Sequence, residues 1–213
     1  NIVREFAESQ YYHVYNRGVE KRLIFLDDHD YIVFLGLLKR YLGLPDKSKK
    51  KLPRQANRHA HDSVRNEVSL LAYCLMPNHF HLLLYQTTSD GVHKLMRRVA
   101  TSYVMYFNAR YNRVGSLFQG PYKASLITKD GYLQHISRYI HLNPSDYKNW
   151  PYSSYPYYAS QKNTPSWLQQ AMVLELFDNR DQYLAFVDDY VSLRNELSVL
   201  KWQLANDLEK GEE

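Results

Sequence analysis

The feature that most constrains the fold of this chain is a pair of apolar runs separated by two residues. Val68–Met76 and His79–Gln86 each have the length of a strand, and only Pro77-Asn78 lies between them. A two-residue connection made of turn-forming residues joins neighbouring antiparallel strands. The runs therefore predict a β-hairpin, and because both are so apolar we expect them to be the two central strands of a sheet.

Strand and helix patterns surround this hairpin in a fixed order. Tyr11–Arg17 is rich in β-forming residues, and Tyr122–Thr128 alternates as a strand does. Apolar residues at spacings of three and four predict helices from Asp27 to Leu42, over Gly91–Tyr111, and from Asp130 to His141. The order β-α-β-β-α-β followed by a helix predicts an α+β fold, a ferredoxin-like antiparallel sheet with helices packed on it.

The composition is that of a globular chain. Hydrophobic residues make up 45% and charged residues 23% of its 213 residues, which excludes a largely disordered protein. No apolar stretch reaches the roughly 18 residues of a membrane span, and Asn1–Gln10 lacks the pattern of a signal peptide. The single cysteine, Cys74, excludes a disulfide framework and is expected as a small buried residue. We therefore expect a soluble, cytoplasmic protein without a membrane partner.

Charge is distributed unevenly along the chain. Residues 164–213 carry four Lys or Arg against ten Asp or Glu, a net charge of −6, whereas residues 1–163 carry 23 against 12, a net charge of +11. A polar, basic loop at residues 45–66 is either a solvated linker or an arm that contacts DNA. Basic side chains neutralise phosphates and tyrosine rings stack on bases, so a basic chain with 20 tyrosines suits a nucleic acid. The acidic tail is expected to lie against the basic part or beside the DNA path.

Two histidines follow the predicted turn directly. His79 and His81 are two residues apart in a strand, so both imidazoles project from one face of the sheet while Phe80 and Leu82 face the other way. Two imidazoles on one face can chelate a divalent cation. The plainer interpretation, two half-exposed strand histidines without a ligand, stays open on this pattern alone.

The last predicted helix carries a second set of reactive side chains. Its buried stripe consists of Leu133, Ile136 and Ile140. Tyr132, His135 and Tyr139 lie along one edge of that stripe. Tyr132 is in the first turn, where unpaired backbone N–H groups favour a phosphate, although a tyrosine in such a position is commonly a packing residue.

Three segments then follow one another in a distinctive order. They are MPNHFHLLL around the histidine pair, NARYNRVGSLFQGPYK after the long helix, and YLQHISRYIHLNP in the last helix. Together they closely resemble the REP-associated tyrosine transposases of the HUH single-tyrosine superfamily, from about Tyr11 to Tyr158. The resemblance implies an HUH endonuclease domain over residues 1–160 and an acidic helical C-terminal extension over residues 161–213. Helices are predicted in that extension at Ser166–Phe177, Arg180–Tyr190 and Val191–Glu209.

The resemblance implies a metal-dependent reaction on single-stranded DNA. His79 and His81 match the pair that holds Mg²⁺ or Mn²⁺, and Tyr132 matches the nucleophile. Tyr139, two turns further along the same edge of the helix, is the nearest competitor for that role. In this family the tyrosine hydroxyl attacks a scissile phosphate, which gives a 5′-phosphotyrosine link and a free 3′-OH. A phenol needs a cation for this step, because its pKa of about 10 makes it a weak nucleophile at neutral pH.

The third metal ligand departs from the family pattern. Many relatives place a Gln four residues after the nucleophile, whereas the position four residues after Tyr132 is Ile136. Gln134 and His135 are the nearest substitutes, and the helical wheel favours His135. Solvent or DNA could complete the coordination shell instead.

The resemblance also implies the DNA partner. The family recognises a hairpin with a short single-stranded flank, and its members act as monomers or homodimers in the bacterial cytoplasm. The basic residues expected to grip the DNA are Arg17, Arg97, Arg98, Arg110, Arg113, Lys123 and Arg138. Each of them could instead be an ordinary surface charge.

Two other functions compete with a strand-transferring endonuclease. A non-catalytic nucleic-acid-binding module on the same scaffold would keep the basic faces but have no use for a converging histidine pair and tyrosine. A metal-dependent hydrolase of small phosphoesters would need carboxylate ligands near His79 and His81, and the segment MPNHFHLLL contains none.

Overall fold

The computed structural model describes residues 6–44, 63–128 and 130–191. The strands are β1 (Gln10–Arg17), β2 (Val68–Met76), β3 (His79–Gln86) and β4 (Lys123–Ile127). The helices are α1 (Asp28–Leu42), α2 (Gly91–Arg110), α3 (Asp130–His141), α4 (Tyr155–Tyr158) and α5 (Ala171–Leu174), and residues 180–191 are helical too. Residues 45–62 and 192–213 lie outside this description, and so do the predictions made for the basic loop and for the end of the acidic tail.

The four strands form one sheet in the order β2-β3-β1-β4, and every neighbouring pair is antiparallel. This order, with α1 and α2 as crossovers, is the ferredoxin-like arrangement that the sequence predicted. The expectation that both hairpin strands are central is wrong for β2, because β3 and β1 occupy the middle. None of the helices in the described ranges is long and apolar enough to cross a membrane.

The outer strand β2 is nevertheless fully covered, which explains its apolar sequence. Its free edge receives the chain that follows α3: the Leu75 amide donates to the Tyr152 carbonyl at 2.9 Å, and the Ser154 amide donates to the Tyr73 carbonyl at 2.9 Å. Farther along, the Gln169 amide donates to the Leu70 carbonyl at 2.8 Å. Cys74 is free and buried here, as predicted. Both faces and the edge of β2 are thus protected, so a continuous apolar run fits an outer strand.

Strand register divides the side chains of the sheet into two faces. The pairs Tyr15↔His81 and Arg17↔His79 place alternate residues of β1 on the same face as the two histidines. The intervening residues, including Val14 and Phe80, point to the other face, where α1 and α2 lie. The predicted separation of His79 and His81 from Phe80 is therefore confirmed.

The face toward α1 and α2 is closed by aromatic packing. Phe34 of α1 lies 5.2 Å from the Phe80 ring and 5.1 Å from the Tyr103 ring of α2, measured between centroids. At the start of α1, the Asp27 side chain accepts a hydrogen bond from the Asp30 amide, which caps the helix. Most residues at this contact are apolar, and the buried polar side chains of the strands are hydrogen-bonded: Asn16 donates to the Gly120 carbonyl and Gln86 accepts from the Val92 amide.

The opposite face is covered by α3 and by the C-terminal extension. Leu133 and Ile140 of α3 pack on the sheet as the sequence predicted, together with Val173, Tyr183 and Val187 of the extension. Residues 176–191 of the extension hold α3 from outside, because Arg138 donates to the Phe186 carbonyl at 3.1 Å and Gln134 donates to the Leu176 carbonyl at 2.8 Å. The extension therefore fixes the position of the helix that carries Tyr132 and Tyr139.

Candidate active site at the end of the central strands

The candidate site begins at the turn between β2 and β3, which other parts of the chain hold in place. The Pro77 carbonyl accepts from the Ile24 amide at 2.8 Å, and the Asn78 carbonyl accepts from the Gly18 amide at 2.9 Å. A Cβ on Gly18 would lie 2.2 Å from the Arg22 carbonyl oxygen, so only glycine permits this close approach. The first residue of β3, His79, is thereby presented on a rigid corner.

The two histidines of the motif lie side by side on one face of β3. Their ring centroids are 5.1 Å apart and their ring planes are nearly perpendicular, at 86°. His79 is partly exposed and His81 is buried. Burial, with smaller contributions from His13 and His79, lowers the pKa of His81 to about 3. His81 is therefore neutral at pH 7, as a metal ligand must be.

Helix α3 brings an amide and a tyrosine to this pair. Asn143, just beyond the end of α3, has its Oδ1 atom 2.9 Å from His79 Nε2. The ring of Tyr139 meets the ring of His81 edge-on, with centroids 5.4 Å apart. Both residues come from the same side of the helix end, since they are four positions apart.

The structure does not bring Tyr132 to the histidine pair. Tyr132 is exposed in the first turn of α3, two turns and about 10 Å along the helix axis from Tyr139. Tyr139, not Tyr132, lines the cleft that contains His79 and His81. Tyr132 as the nucleophile therefore stays a prediction that this geometry does not support, because the contact of α3 with the sheet places the C-terminal half of the helix over the histidines.

His135 is not placed as a third ligand either. Its Nδ1 atom lies 2.8 Å from a terminal nitrogen of Arg138, and its ring contacts Phe186 of the extension with centroids 5.5 Å apart. Within the described ranges, no three His, Cys, Asp or Glu side chains are arranged to hold a metal ion. A third protein ligand next to His79 would therefore be of another type, and Asn143 is in position for it.

The donor set suits a divalent cation. It consists of imidazole nitrogens from His79 and His81 and the amide oxygen of Asn143. Imidazole and amide ligands bind first-row divalent metals such as Mn²⁺, and three protein ligands leave positions for water or phosphate oxygens. The residues present thus fit the metal that the resemblance implies.

The cleft around these ligands is positively charged. It has a volume of about 500 Å³ and contains no carboxylate among its lining residues. Its lining is Tyr15, Asn16, Arg17, Lys21, Asn78, His79, His81, Gln119, Lys123 and Tyr139. Arg17, Lys21 and Lys123, with no acid among the lining residues that the structure describes, favour an anionic ligand such as a phosphodiester.

The predicted DNA-contacting residues fall into three groups. Arg17 and Lys123 lie at the cleft, where the Arg17 guanidinium donates to the Gln119 side chain. Arg97 is exposed and Arg98 half-buried on α2, on the other side of the sheet, and Arg113 stacks on Phe107 with its Cζ 5.7 Å from the ring centroid. For those three, DNA contact stays a prediction.

Two of the predicted DNA-contacting residues are already engaged within the protein. Arg110 is held by Asp27 at 2.6 Å and by the fully buried Asp30 at 3.0 Å, so its charge is already compensated inside the fold. Arg138 lies between the rings of Phe186 and Tyr190, with its Cζ 3.9 Å and 4.5 Å from their centroids. Both arginines join elements of the protein to one another.

Sequence reasoning missed Asn143 and the contribution of β1. Tyr15 and His13 were treated only as parts of a strand, although an antiparallel register with β3 places them on the face of His79 and His81. The signal that could have found Asn143 is its spacing of four residues from Tyr139. An amide at that spacing is the pattern that relatives show after their nucleophile.

Comparison with known proteins supports the same family. Residues 48–143 match the model of a family described as IS200-like transposase, and this segment contains the histidine pair, Tyr139 and Asn143. None of the curated proteins matches the chain significantly.

Two solved structures are similar to the chain. One is a REP-associated tyrosine transposase bound to a REP hairpin, with 13% sequence identity and a TM-score of 0.53. The alignment covers 79% of this chain and 90% of that transposase. The other is described as a transposase from Deinococcus radiodurans R1; it is 19% identical, covers 66% of this chain and 95% of its own, and has a TM-score of 0.38. The first shares the fold. The resemblance seen in the motifs is thereby confirmed: residues 48–143 of this chain are similar to the IS200-like transposase family.

Proposed function

We propose that this protein is a metal-dependent single-stranded DNA endonuclease and strand transferase, with Tyr139 as its nucleophile. The observation that carries the proposal is the convergence of Tyr139 and Asn143 on His79 and His81. Asn143 lies four residues after Tyr139, which is the spacing of an amide ligand after the nucleophile in relatives. The residue four positions after Tyr132 is Ile136, which has no amide. The proposed reaction is the one that the resemblance implied, but its nucleophile lies two helical turns further along α3.

Tyr139 would begin the reaction. Its hydroxyl oxygen attacks the scissile phosphorus, a bond forms between that oxygen and phosphorus, and the bond to the 3′ oxygen of the preceding nucleotide breaks. The phenolic proton is lost and the departing 3′ oxygen gains a proton, which leaves a 3′-OH and a 5′-phosphotyrosine. The covalent link conserves the energy of the phosphodiester, so a strand bearing a 3′-OH can reverse the step without ATP.

His79, His81 and Asn143 would hold Mg²⁺ or Mn²⁺. When bound there, the cation polarises the scissile phosphate and stabilises the charge that develops on it. Arg17, Lys21 and Lys123 would fix the neighbouring phosphates, because they surround the cleft without a competing carboxylate. The absence of a carboxylate from the lining also disfavours a hydrolase of small phosphoesters, which would use acidic metal ligands.

We propose hairpin DNA with a single-stranded flank as the substrate. The support is the fold shared with a transposase that is bound to a REP hairpin, together with the net charge of +11 over residues 1–163. The exposed ring of Tyr132 and the half-exposed ring of Tyr139 at the cleft are surfaces on which unpaired bases can stack.

The test is a pair of tyrosine variants. Tyr139→Phe should abolish cleavage and the covalent protein–DNA adduct on a labelled single-stranded hairpin with Mn²⁺, while Tyr132→Phe, its matched control on the same helix, retains both. A denaturing gel detects the adduct, and mass spectrometry of the trapped peptide locates it.

Each other outcome decides against part of the proposal. An adduct that survives Tyr139→Phe and is lost in Tyr132→Phe returns the nucleophile to Tyr132. A parent protein that binds the hairpin with no metal-dependent adduct favours a non-catalytic nucleic-acid-binding module.

A further inference from the structure

A buried histidine lies directly behind the histidine pair and takes no part in the reaction as described. His13, in the middle of β1, is only 7% exposed and does not line the cleft. Its neighbours across the sheet are Leu83 of β3 and Ser125 of β4, so strands hold its backbone on both sides. A buried polar ring needs a hydrogen-bonding partner, and His13 has one in His81.

The contact between the two rings is specific. His13 Nε2 lies 2.8 Å from His81 Nδ1, and the rings stack with centroids 5.0 Å apart at 20°. One nitrogen of this pair must donate a proton and the other must accept it. Since His81 Nδ1 faces His13, only the Nε2 atom of His81 is available to the cleft.

That arrangement couples the tautomers of the two histidines. A cation bound through His81 Nε2 needs the lone pair there, so the proton of the neutral ring must reside on Nδ1 and be donated to His13 Nε2. The opposite assignment, with His13 donating, would put the His81 proton on Nε2 and block the ligand position. His13 must therefore be the acceptor for His81 to bind metal.

His13 also contacts two other residues of the candidate site. Its ring stacks on Tyr15 with centroids 5.0 Å apart, and Tyr139 meets it edge-on at 5.9 Å. One side chain thus touches a proposed metal ligand and the ring of the proposed nucleophile. This inference rests on the function proposed above, and it adds a residue of β1 that neither catalyses nor binds metal.

We propose that His13 is a positioning residue, which holds His81 as the Nδ1–H tautomer and so directs its Nε2 atom toward a divalent cation. Partners that orient metal-bound histidines typically change metal affinity by about 10- to 100-fold when they are removed. The role requires an acceptor at the place of His13 Nε2, and packing alone does not supply one.

Two variants distinguish a hydrogen-bond acceptor at position 13 from a side chain that only packs against its neighbours. His13→Phe keeps a ring of similar size and removes the acceptor, so it should weaken Mn²⁺ binding about 10- to 100-fold. His13→Gln places an amide oxygen near the position of Nε2 and should restore most of the affinity. His29→Phe makes the same exchange at an exposed site on α1 and should leave the affinity unchanged.

Calorimetric titration of the full chain with Mn²⁺ alone gives the affinities, and circular dichroism checks the fold. Imidazole ¹⁵N spectra of the parent protein without metal at pH 7.5 give a second measurement that needs no variant. The expected result is the Nδ1–H tautomer for His81. A His81 ring in the Nε2–H tautomer would overturn the proposal, even if His13→Phe does not fold.

The proposed function can fail separately from this inference. Mn²⁺ binding that is unaffected by His81→Ala would remove the metal site and the proposed function with it. Binding that is lost in His81→Ala but unchanged in a folded His13→Phe would leave the function standing and reject the positioning role.

Discussion

The two faces of the sheet are built from the same strands and differ in what they bury. Toward α1 and α2, Val14, Phe80 and their neighbours form an apolar core, and the buried polar side chains on this side, Asn16 and Gln86, lie near the ends of their strands. Toward α3, alternate positions of the same strands carry His13, His79 and His81. The α3 face is also apolar around Leu133 and Ile140, but in addition it holds these polar groups in fixed orientations at some energetic cost.

The difference shows how a small domain can accommodate a reactive site. Burying imidazoles is unfavourable unless they are hydrogen-bonded, and each buried ring on the α3 side has a partner: His13 and His81 pair with each other, and His141 contacts Tyr183 and Ser154 at 2.6 and 2.7 Å. Burial lowers the pKa of His13 to about 4. The apolar packing on both faces supplies the stability that allows these groups to remain neutral and buried.

The largest expected effect concerns metal binding on the α3 face. His79→Ala or His81→Ala should abolish Mn²⁺ binding in calorimetry, because each removes a nitrogen of the pair. His135→Ala is the matched control on the same face and should bind Mn²⁺ as the parent does, since Arg138 and Phe186 occupy its surroundings. A loss of affinity in His135→Ala equal to that in His79→Ala would restore His135 as a ligand.

The next effect concerns stability and the apolar face. Phe80→Ala should lower the free energy of unfolding by about 3–5 kcal/mol, because it leaves a cavity between Phe34 and the sheet. His79→Ala, one residue away on the opposite face and partly exposed, should cost less than about 1 kcal/mol. Urea unfolding followed by circular dichroism measures both, and equal losses would contradict the division into a stabilising and a reactive face.

The smallest effect is a pH dependence that comes from the α3 side. Burial lowers the pKa of His141 to about 3, whereas an unfolded chain has the ordinary value of about 6.5. Between these values the unfolded state binds a proton that the folded state does not, so stability is complete above pH 6.5 and falls as the pH decreases. The lowered pKa values of His13 and His81 likewise make the folded protein less stable as the pH decreases.

Replacing His141 therefore should flatten the pH profile. His141→Gln should reduce the slope of unfolding free energy between pH 5 and 6.5 by up to about 1.4 kcal/mol per pH unit. The exposed His29→Gln should leave that slope unchanged. Urea titrations at several pH values measure it, and an unchanged slope in His141→Gln would show that His141 is not the protonated group.

Much of the fold follows from local patterns in the sequence. The division of His79 and His81 from Phe80 was predictable because side-chain direction alternates along a strand with a period of two residues. The three long helices were predictable because their apolar residues recur at spacings of three and four, and the hairpin because two turn-forming residues separate its strands. The position of β2 was not, because its apolar run resembles a central strand. Only the chain at Tyr152–Ser154, which covers its edge, explains why an outer strand needs no polar side.

By itself, the sequence determined the order of strands and helices, the face of the histidine pair and the resemblance to a transposase family. The tertiary structure decided which tyrosine meets that pair, which amide joins it, and which arginines are already engaged. Tyr132 and Tyr139 lie along the same edge of α3, and the choice between them depends on how far the helix is displaced along the sheet. That displacement is set by the packing of Leu133 and Ile140 and by the hydrogen bonds to the extension, all of which join residues distant in the chain.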